Sequence, residues 1–119
     1  MLYYGAAYYP ELFPSQEWEA DIARMADAGM NVVRLAEAAW TYLELDEGHF
    51  SFTWLDDVIA LCQRYHIAVV LGTPTFIPPA WLVQKYPEIL PYTAEGRRMG
   101  LGGRHHYCLH STGHTGKAF

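Results

Sequence analysis

The sequence predicts an α/β protein built on a parallel sheet, and three observations support this fold class. Apolar runs typical of strands alternate with amphipathic helical segments in the order β-α-β-α-β-α. These repeats are spaced by about 30 residues, the length of one strand-helix-strand unit. The chain is 51% hydrophobic and 18% charged, a composition that packs a core. The pattern is compatible with a doubly wound sheet or with a (β/α)8 barrel.

The first unit lies between the N-terminus and Gly29. Residues 2–9 are aromatic and small, and we predict a short buried strand there. A helix follows, with Ser15 as its predicted N-cap and Gly29 in the position that commonly ends a helix. Four apolar side chains share one face of that helix at positions i, i+4, i+7 and i+8, namely Trp18, Ile22, Met25 and Ala26.

The second unit begins with a β-branched run over 31–36, "NVVRLA", which predicts a strand buried on both faces. A polar and aromatic connection over 37–53 leads to a helix predicted over 54–65. One face of this helix is apolar and carries Leu55, Val58, Ile59 and Cys62.

The third unit starts at the apolar run 67–73, "IAVVLGT", a predicted strand. Pro78 and Pro79 then open a short third helix, where proline is tolerated in the first turn. A fourth strand is expected over 101–107, within a segment rich in glycine, arginine and histidine.

Composition and motifs exclude several function classes. The formal net charge of -5 argues against a nucleic-acid partner or an anionic membrane surface. No apolar run approaches the ~18 residues of a membrane span, and the N-terminus lacks the basic region of a signal peptide. The first strand-helix turn has no G-x-G-x-x-G, so dinucleotide binding is not supported. Cys62 and Cys108 make no disulfide framework, and we expect a cytoplasmic location.

Polar and aromatic side chains follow the predicted strands at their carboxyl ends, where parallel α/β folds bind ligands. Glu11 follows the first strand and is interpreted either as an acceptor for a sugar hydroxyl or an arginine, or as a solvated acid. Glu37 follows the second strand, either near a ligand or in a salt bridge with Arg34. Trp40 is a candidate for stacking on a sugar ring, with a structural role as the alternative, whereas Trp81 within a helix is expected in the core.

The stretch "GGRHHYCLHS" at 102–111 collects side chains that bind metals or carboxylates. Its potential metal ligands, together with one just beyond it, are His105, His106, Cys108, His110 and His114. Only the His110-x3-His114 spacing fits an established pairing, so an autonomous metal site is disfavoured. Arg104 instead offers a fork of donors suited to hydroxyls or a carboxylate.

Long segments of the chain match one enzyme family. They are "YYPELFPSQEWEADIARMADAGMNVVRLAEAAW", "LELDEGHFSFTWLDDVIALC", "TPTFIPPAWLVQKYPEILP" and "GRRMGLGGRHHYC". With these segments in family order, the chain resembles the N-terminal part of glycoside hydrolase family 42, the β-galactosidases. The resemblance implies that residues 1–119 form the first three to four units of a (β/α)8 catalytic barrel.

The same resemblance implies a retaining mechanism on terminal non-reducing β-D-galactosides. In that mechanism a carboxylic acid protonates the glycosidic oxygen while a second carboxylate, roughly 5–5.5 Å away, attacks the sugar. The family's acid/base is the glutamate of an Asn-Glu pair after the fourth strand, and its nucleophile follows the seventh. The only asparagine here is Asn31, which is not followed by glutamate. We therefore expect the 119 residues alone to be inactive.

Two site residues carry over from the family pattern. Arg104 corresponds to an arginine that contacts the galactosyl unit. Cys108 corresponds to the first of four cysteines that hold a structural zinc in some members, and the other three are absent here. The resemblance implies no cofactor for catalysis.

Other functions stay open as alternatives to an enzyme fragment. A noncatalytic half-barrel that binds a sugar or a partner is the second hypothesis, and a small metal-binding protein is the third. Because part of a barrel leaves an open sheet edge, self-association is a further expectation. The galactoside linkage stays open, since later loops would build that part of the pocket.

Overall fold

The computed structural model describes residues 1–75, 77–102 and 107–108. Its helices and strands, in chain order, are β1 (Gly5–Ala7), α1 (Ser15–Asp27), β2 (Val32–Leu35), α2 (Trp40–Leu43), β3 (Glu44–Asp46), β4 (His49–Phe50), α3 (Thr53–Arg64), β5 (Ala68–Leu71) and α4 (Ala80–Lys85). Single turns of 3-10 helix lie at Pro10–Leu12 and Pro87–Ile89.

Strands β1, β2 and β5 form a parallel sheet in the order β1-β2-β5, which confirms the predicted α/β alternation. In its register, Val32 lies between Gly5 and Ala68, and Arg34 lies between Ala7 and Val70. The three strands thus lie side by side in chain order, and their carboxyl ends meet along one edge of the sheet.

Helices α1 and α3 cover one face of this sheet. Val33 and Leu35 of β2 point into the resulting core, where Ile22 of α1 and Val58 and Cys62 of α3 are also fully buried. Trp18, Met25 and Ala26 pack against the same core. The apolar face predicted for each helix is therefore confirmed as the face that meets the sheet.

The two helices end in the same way. After α1, Gly29 adopts a φ of 84°, and the amides of Gly29 and Met30 donate to the carbonyls of Ala26 and Met25. After α3, His66 adopts a φ of 58° and the equivalent bonds run back to Gln63 and Cys62. Both ends are Schellman motifs, in which a left-handed residue satisfies the last carbonyls and redirects the chain.

The predicted burial of two strands is wrong. Strand β1 is exposed throughout, and in β2 only Val33 and Leu35 are buried, whereas Arg34 is exposed. Helices cover only one face of the described sheet, so alternate side chains of β2 on the other face remain accessible to solvent, and the outer strand β1 is exposed on both faces. The N-cap of α1 also shifts by one residue, because Pro14 precedes the helix and Ser15 is its first residue.

The predicted connection over 37–53 contains regular structure. It holds the one-turn helix α2 and an antiparallel hairpin of β3 and β4, with Glu44 opposite Phe50 and a register irregularity before Asp46. Gly48, with a φ of 78°, supplies the left-handed turn residue. No strand is found at residues 101–102 or 107–108, and the rest of the expected fourth strand lies outside the described residues.

Candidate functional site at the carboxyl ends of the strands

A cleft of about 360 Å³ opens where β1 and β2 end. Polar and aromatic side chains dominate its wall, which consists of Tyr9, Glu11, Leu12, Arg34, Glu37, Ala38, Tyr42 and Ile77. Two sequence-predicted site residues, Glu11 and Glu37, therefore lie in one cleft, as expected for the carboxyl edge of a parallel sheet.

Glu37 is the best-anchored carboxylate of the cleft. Its Oε2 lies 2.8 Å from Nη2 of Arg34, and Tyr9 Oη donates to the same oxygen at 3.2 Å. The predicted salt bridge between Arg34 and Glu37 is thus confirmed. The Glu37 side chain is 29% exposed, so it is fixed by two partners while still reachable from the cleft.

Backbone geometry explains why Glu37 sits here. Ala36, just before it, is buried and has a φ of 63°, a left-handed conformation that costs an L residue roughly 1–2 kcal/mol. Gly72, at the end of β5, passes so close that an added Cβ would lie 3.0 Å from the Cα of Glu37. The amide of Gly72 donates to the carbonyl of Leu35, which holds the two strand ends together.

Glu11 differs from Glu37 in that no cation among the described residues forms an ion pair with it. Its Oε2 is buried, and among the described residues this oxygen has no hydrogen-bond partner. Burial raises the pKa of the Glu11 carboxyl, and a hydrogen bond from its own backbone amide opposes that effect. An unpartnered buried acceptor is costly, so Glu11 is a candidate to receive a hydrogen bond from a ligand or from another part of the protein.

Trp40 is not available for stacking on a sugar in this structure. It is the first residue of α2, its ring is 1% exposed, and Tyr107 packs edge-on against it. Its indole N-H donates to Glu44 Oε2 at 2.8 Å. The stacking interpretation is corrected accordingly: the described chain buries Trp40 as part of a second, smaller core that includes Leu82 and Ile89.

Glu44 organises the segment behind the cleft. It is a buried carboxylate, and its Oε1 accepts the backbone N-H of Gly48 at 2.9 Å while Oε2 accepts the Trp40 indole. Its backbone carbonyl accepts the indole N-H of Trp81 at 2.9 Å, and Trp81 is half-buried as expected for a core residue. Glu44 thereby joins α2, the β3–β4 hairpin and α4.

The structure gives few contacts for the remaining predicted site residues. Arg104, His105, His106, His110 and His114 lie outside the described residues. Cys108 is a half-buried free thiol whose amide donates to the carbonyl of Ile89. The part of the chain that the structure describes holds no group of three potential metal ligands, and one thiol does not hold zinc.

Sequence reasoning missed Tyr9, Tyr42 and Glu44. A signal existed for Glu44, because "LELDEGHF" places a glycine between two short alternating runs, as in a hairpin. Tyr9 could be found only by pairing strand ends, since its partner Glu37 is 28 residues away. Among the described residues, no helix is long and apolar enough to cross a membrane.

Comparisons with known proteins identify the family of this chain. Residues 7–118 match the family model for the β-galactosidases of glycoside hydrolase family 42. The chain belongs to this family. It is 50% identical over 107 residues to a β-galactosidase of Thermus thermophilus, covering 90% of this chain and 17% of the relative. It is 46% identical to β-galactosidase BgaA of a Thermus species, covering 96% of this chain and 18% of that protein.

Solved structures show the same backbone arrangement. The β-galactosidase of Halorubrum lacusprofundi superimposes with a TM-score of 0.91 at 43% identity, over 98% of this chain and 18% of that one. The enzyme of the psychrophilic Marinomonas ef1 gives a TM-score of 0.86 at 36% identity, over 93% and 17%. The chain thus spans less than a fifth of the length of these relatives.

Proposed function

We propose that this chain is the N-terminal part of a retaining β-galactosidase that hydrolyses terminal non-reducing β-D-galactosides. The observation that carries the proposal is the match to the family over residues 7–118. The relatives are named β-galactosidases, which supports the same substrate class here. The proposal needs no cofactor for catalysis, and a zinc bound through Cys108 would require ligands from elsewhere in the parent protein.

The fold supports placing this chain at the start of a barrel. Its three parallel strands run in chain order and carry helices on one face only, as the first units of a (β/α)8 barrel require. We propose that residues 1–119 are one partial domain and that β1, β2 and β5 are the first three barrel strands. The cleft then lies on the carboxyl face, where enzymes of this architecture bind their substrates.

The cleft has the chemistry of a sugar-hydroxyl site. Glu37 is paired with Arg34, and a carboxylate accepts hydrogen bonds from hydroxyl groups. The unpartnered oxygen of Glu11 is a second acceptor. We propose that Glu37 and Glu11 receive hydrogen bonds from the bound galactoside and that Arg104 contacts the galactosyl unit, as the family resemblance implies.

Neither carboxylate is proposed as a catalyst. In the retaining mechanism the acid/base and the nucleophile face each other across the glycosidic bond, about 5–5.5 Å apart. The family places both after later strands. The 119-residue chain alone is expected to bind galactose with a dissociation constant on the order of millimolar, because it supplies only part of the pocket, and to hydrolyse nothing.

An NMR titration of the 119-residue chain with galactose tests this site. We expect amide shifts to concentrate at Tyr9, Glu11 and Glu37, and to weaken in Glu11→Gln and Glu37→Gln. The matched control is Glu88→Gln, which changes an exposed glutamate outside the cleft and leaves the titration unchanged. Shifts scattered over the surface, or equal in all three variants, would contradict the assignment. Micromolar affinity would instead favour the noncatalytic binding module.

A further inference from the structure

The wall of the cleft contains two aromatic rings, Tyr9 and Tyr42, and they differ in what they already contact. The hydroxyl of Tyr9 donates to Glu37 at 3.2 Å. Tyr42 is 41% exposed, and neither its hydroxyl nor its ring has a hydrogen-bond or stacking partner among the residues that the structure describes. Of these two rings, Tyr42 is therefore the one that is available to a ligand.

The one-turn helix α2 determines which way Tyr42 faces. Successive residues of an α-helix are rotated by about 100°, so positions 40 and 43 share one side, whereas position 42 lies nearly opposite position 40. Trp40 and Leu43 are both buried, each in a different core, and Thr41 and Tyr42 are exposed. The burial of Trp40 thus turns Tyr42 outward, to the wall of the cleft.

Hydrogen bonds hold the backbone of α2 in place around Tyr42. The amide of Tyr42 donates to the carbonyl of Ala39 at 2.9 Å, and its carbonyl accepts the indole N-H of Trp54 at 3.1 Å. The next carbonyl, of Leu43, accepts the amide of Ser51 at 2.8 Å. A single helical turn is not stable in isolation, so these contacts are what fix it. All of these partners belong to the described chain, which therefore sets the orientation of Tyr42 by itself.

A galactosyl ring presents two kinds of surface to a protein. Its hydroxyl groups need hydrogen-bond partners, whereas the C-H groups on its face pack well against an aromatic ring, and small-molecule sites commonly combine polar groups with such apolar walls. The cleft offers both surfaces. Glu11 and Glu37 supply carboxylate acceptors, and Tyr42 lies in the same wall with the apolar side chains of Leu12 and Ile77. Tyr42 therefore has the position and the chemistry to contact the apolar face of the sugar.

We propose that Tyr42 stacks on the C-H face of the galactosyl ring bound in this cleft. The sequence offered this role to Trp40, and the structure moves it two residues along the same helical turn. This inference rests on the proposed function, because it needs a sugar bound at Glu11 and Glu37. It adds the apolar contact that the two carboxylates do not provide.

Proton NMR of galactose in the presence of the 119-residue chain tests the stacking. Sugar C-H protons that lie over an aromatic ring shift upfield, and a contact without the ring does not produce this shift. We expect the upfield shift with the parent chain and with Tyr42→Phe, which keeps the ring. Tyr42→Ala should abolish the shift and weaken binding about fivefold.

The matched control is Thr41→Ala, which truncates an exposed neighbour on the same helical turn outside the cleft wall and should leave both the shift and the affinity unchanged. Circular dichroism verifies that the variants are folded.

Each contrary outcome has a distinct meaning. Galactose binding at Glu11 and Glu37 without the upfield shift, or with equal affinity in Tyr42→Ala, overturns the stacking and leaves the carboxylate site standing. Equal losses in Tyr42→Phe and Tyr42→Ala also overturn it, because the contact would then belong to the hydroxyl. An equal loss in Thr41→Ala overturns it as well, because the helical turn and not the ring would then be responsible. If the parent chain binds no galactose, the site and the stacking are both wrong.

Discussion

The two faces of the sheet are built from neighbouring residues of the same strands, yet they differ in burial and in charge. Val33 and Leu35 are buried under α1 and α3, whereas Arg34, between them, is exposed. The covered face packs into the apolar core. The opposite face, which we call the bare face, includes Val32, Arg34 and Val70, and it carries the ion pair between Arg34 and Glu37 that leads into the cleft. One face therefore stabilises the chain, and the other, with the strand ends, is available for binding.

This contrast explains how a chain that spans less than a fifth of its relatives' length still buries an apolar core. The helices bury the central strand β2 on that side, whereas Leu71 of β5, which is in register with Leu35, is still 57% exposed. The bare face and the cleft depend on what else contacts them. Substitutions on the two faces should therefore have very different consequences for folding.

The largest difference is expected between Leu35→Ala and Val70→Ala. Leu35 is fully buried, and removing its side chain leaves a cavity that costs about 2–5 kcal/mol. Val70 is 52% exposed on the bare face, so its replacement should change stability by about 0.5 kcal/mol or less in the monomer. Urea unfolding at low protein concentration measures both. Equal losses would mean that the bare face is not bare in solution.

Thiol reactivity tests whether Cys62 stays buried under helix α3 on the covered side of the sheet. Cys62 is fully buried in the core, and burial raises its pKa to about 11. In Cys108→Ser, we expect Cys62 to react with a disulfide reagent at pH 8 at least ~100-fold more slowly than in urea, because the reactive thiolate is scarce and inaccessible. Reaction at the unfolded rate would show that α3 does not stay packed on the sheet.

The two Schellman turns that lead into β2 and β5 allow a smaller, matched comparison. Gly29→Ala should destabilise the chain by about 1 kcal/mol, since the left-handed φ penalises a side chain although no atom lies within 4 Å of the added Cβ. His66→Gly should instead be stabilising by up to about 1 kcal/mol, because it removes the same strain. Thermal unfolding of the two variants and the parent chain measures these changes in stability. A change in stability of the same sign for both substitutions would contradict the prediction.

The smallest effect concerns Glu11 and depends on pH. Because its pKa is raised above the ordinary value of 4.5, the native state disfavours the ionised form. Its contribution is fully favourable below pH 4.5 and is lost as pH rises through the raised native pKa. Glu11→Gln should therefore be more stable than the parent at pH 7, with the difference vanishing at lower pH. A difference independent of pH would show that the carboxyl is not buried.

Local signals predicted much of the fold. The spacing of Ile22 and Met25 and of Val58 and Cys62 predicted both long helices and the faces that they bury. Periodicity could not predict that β2 is covered on one side only, because burial depends on which elements surround a strand. The run "NVVRLA" is compatible with either outcome.

The sequence predicted which residues lie at the candidate site, but not all the contacts that they make there. Glu11 and Glu37 were predicted as site residues because each follows a predicted strand, and the charge of Arg34 within a strand predicted its ion pair. The sequence could not decide between stacking and a structural role for Trp40, because the one-turn helix that buries it depends on Glu44 in a hairpin that was not predicted. Side-chain hydrogen bonds between a helix and a hairpin leave no periodic trace in the sequence.

The most direct test of this account is the activity of a chimera. This chain replaces the matched 107-residue segment of the Thermus thermophilus relative, and hydrolysis of a nitrophenyl β-galactoside is measured beside the isolated 119-residue chain. We predict turnover by the chimera and none by the isolated chain, because we propose that the catalytic carboxylates come from later strands of the parent enzyme. Hydrolysis by the isolated chain, or a folded chimera without turnover, would contradict the account.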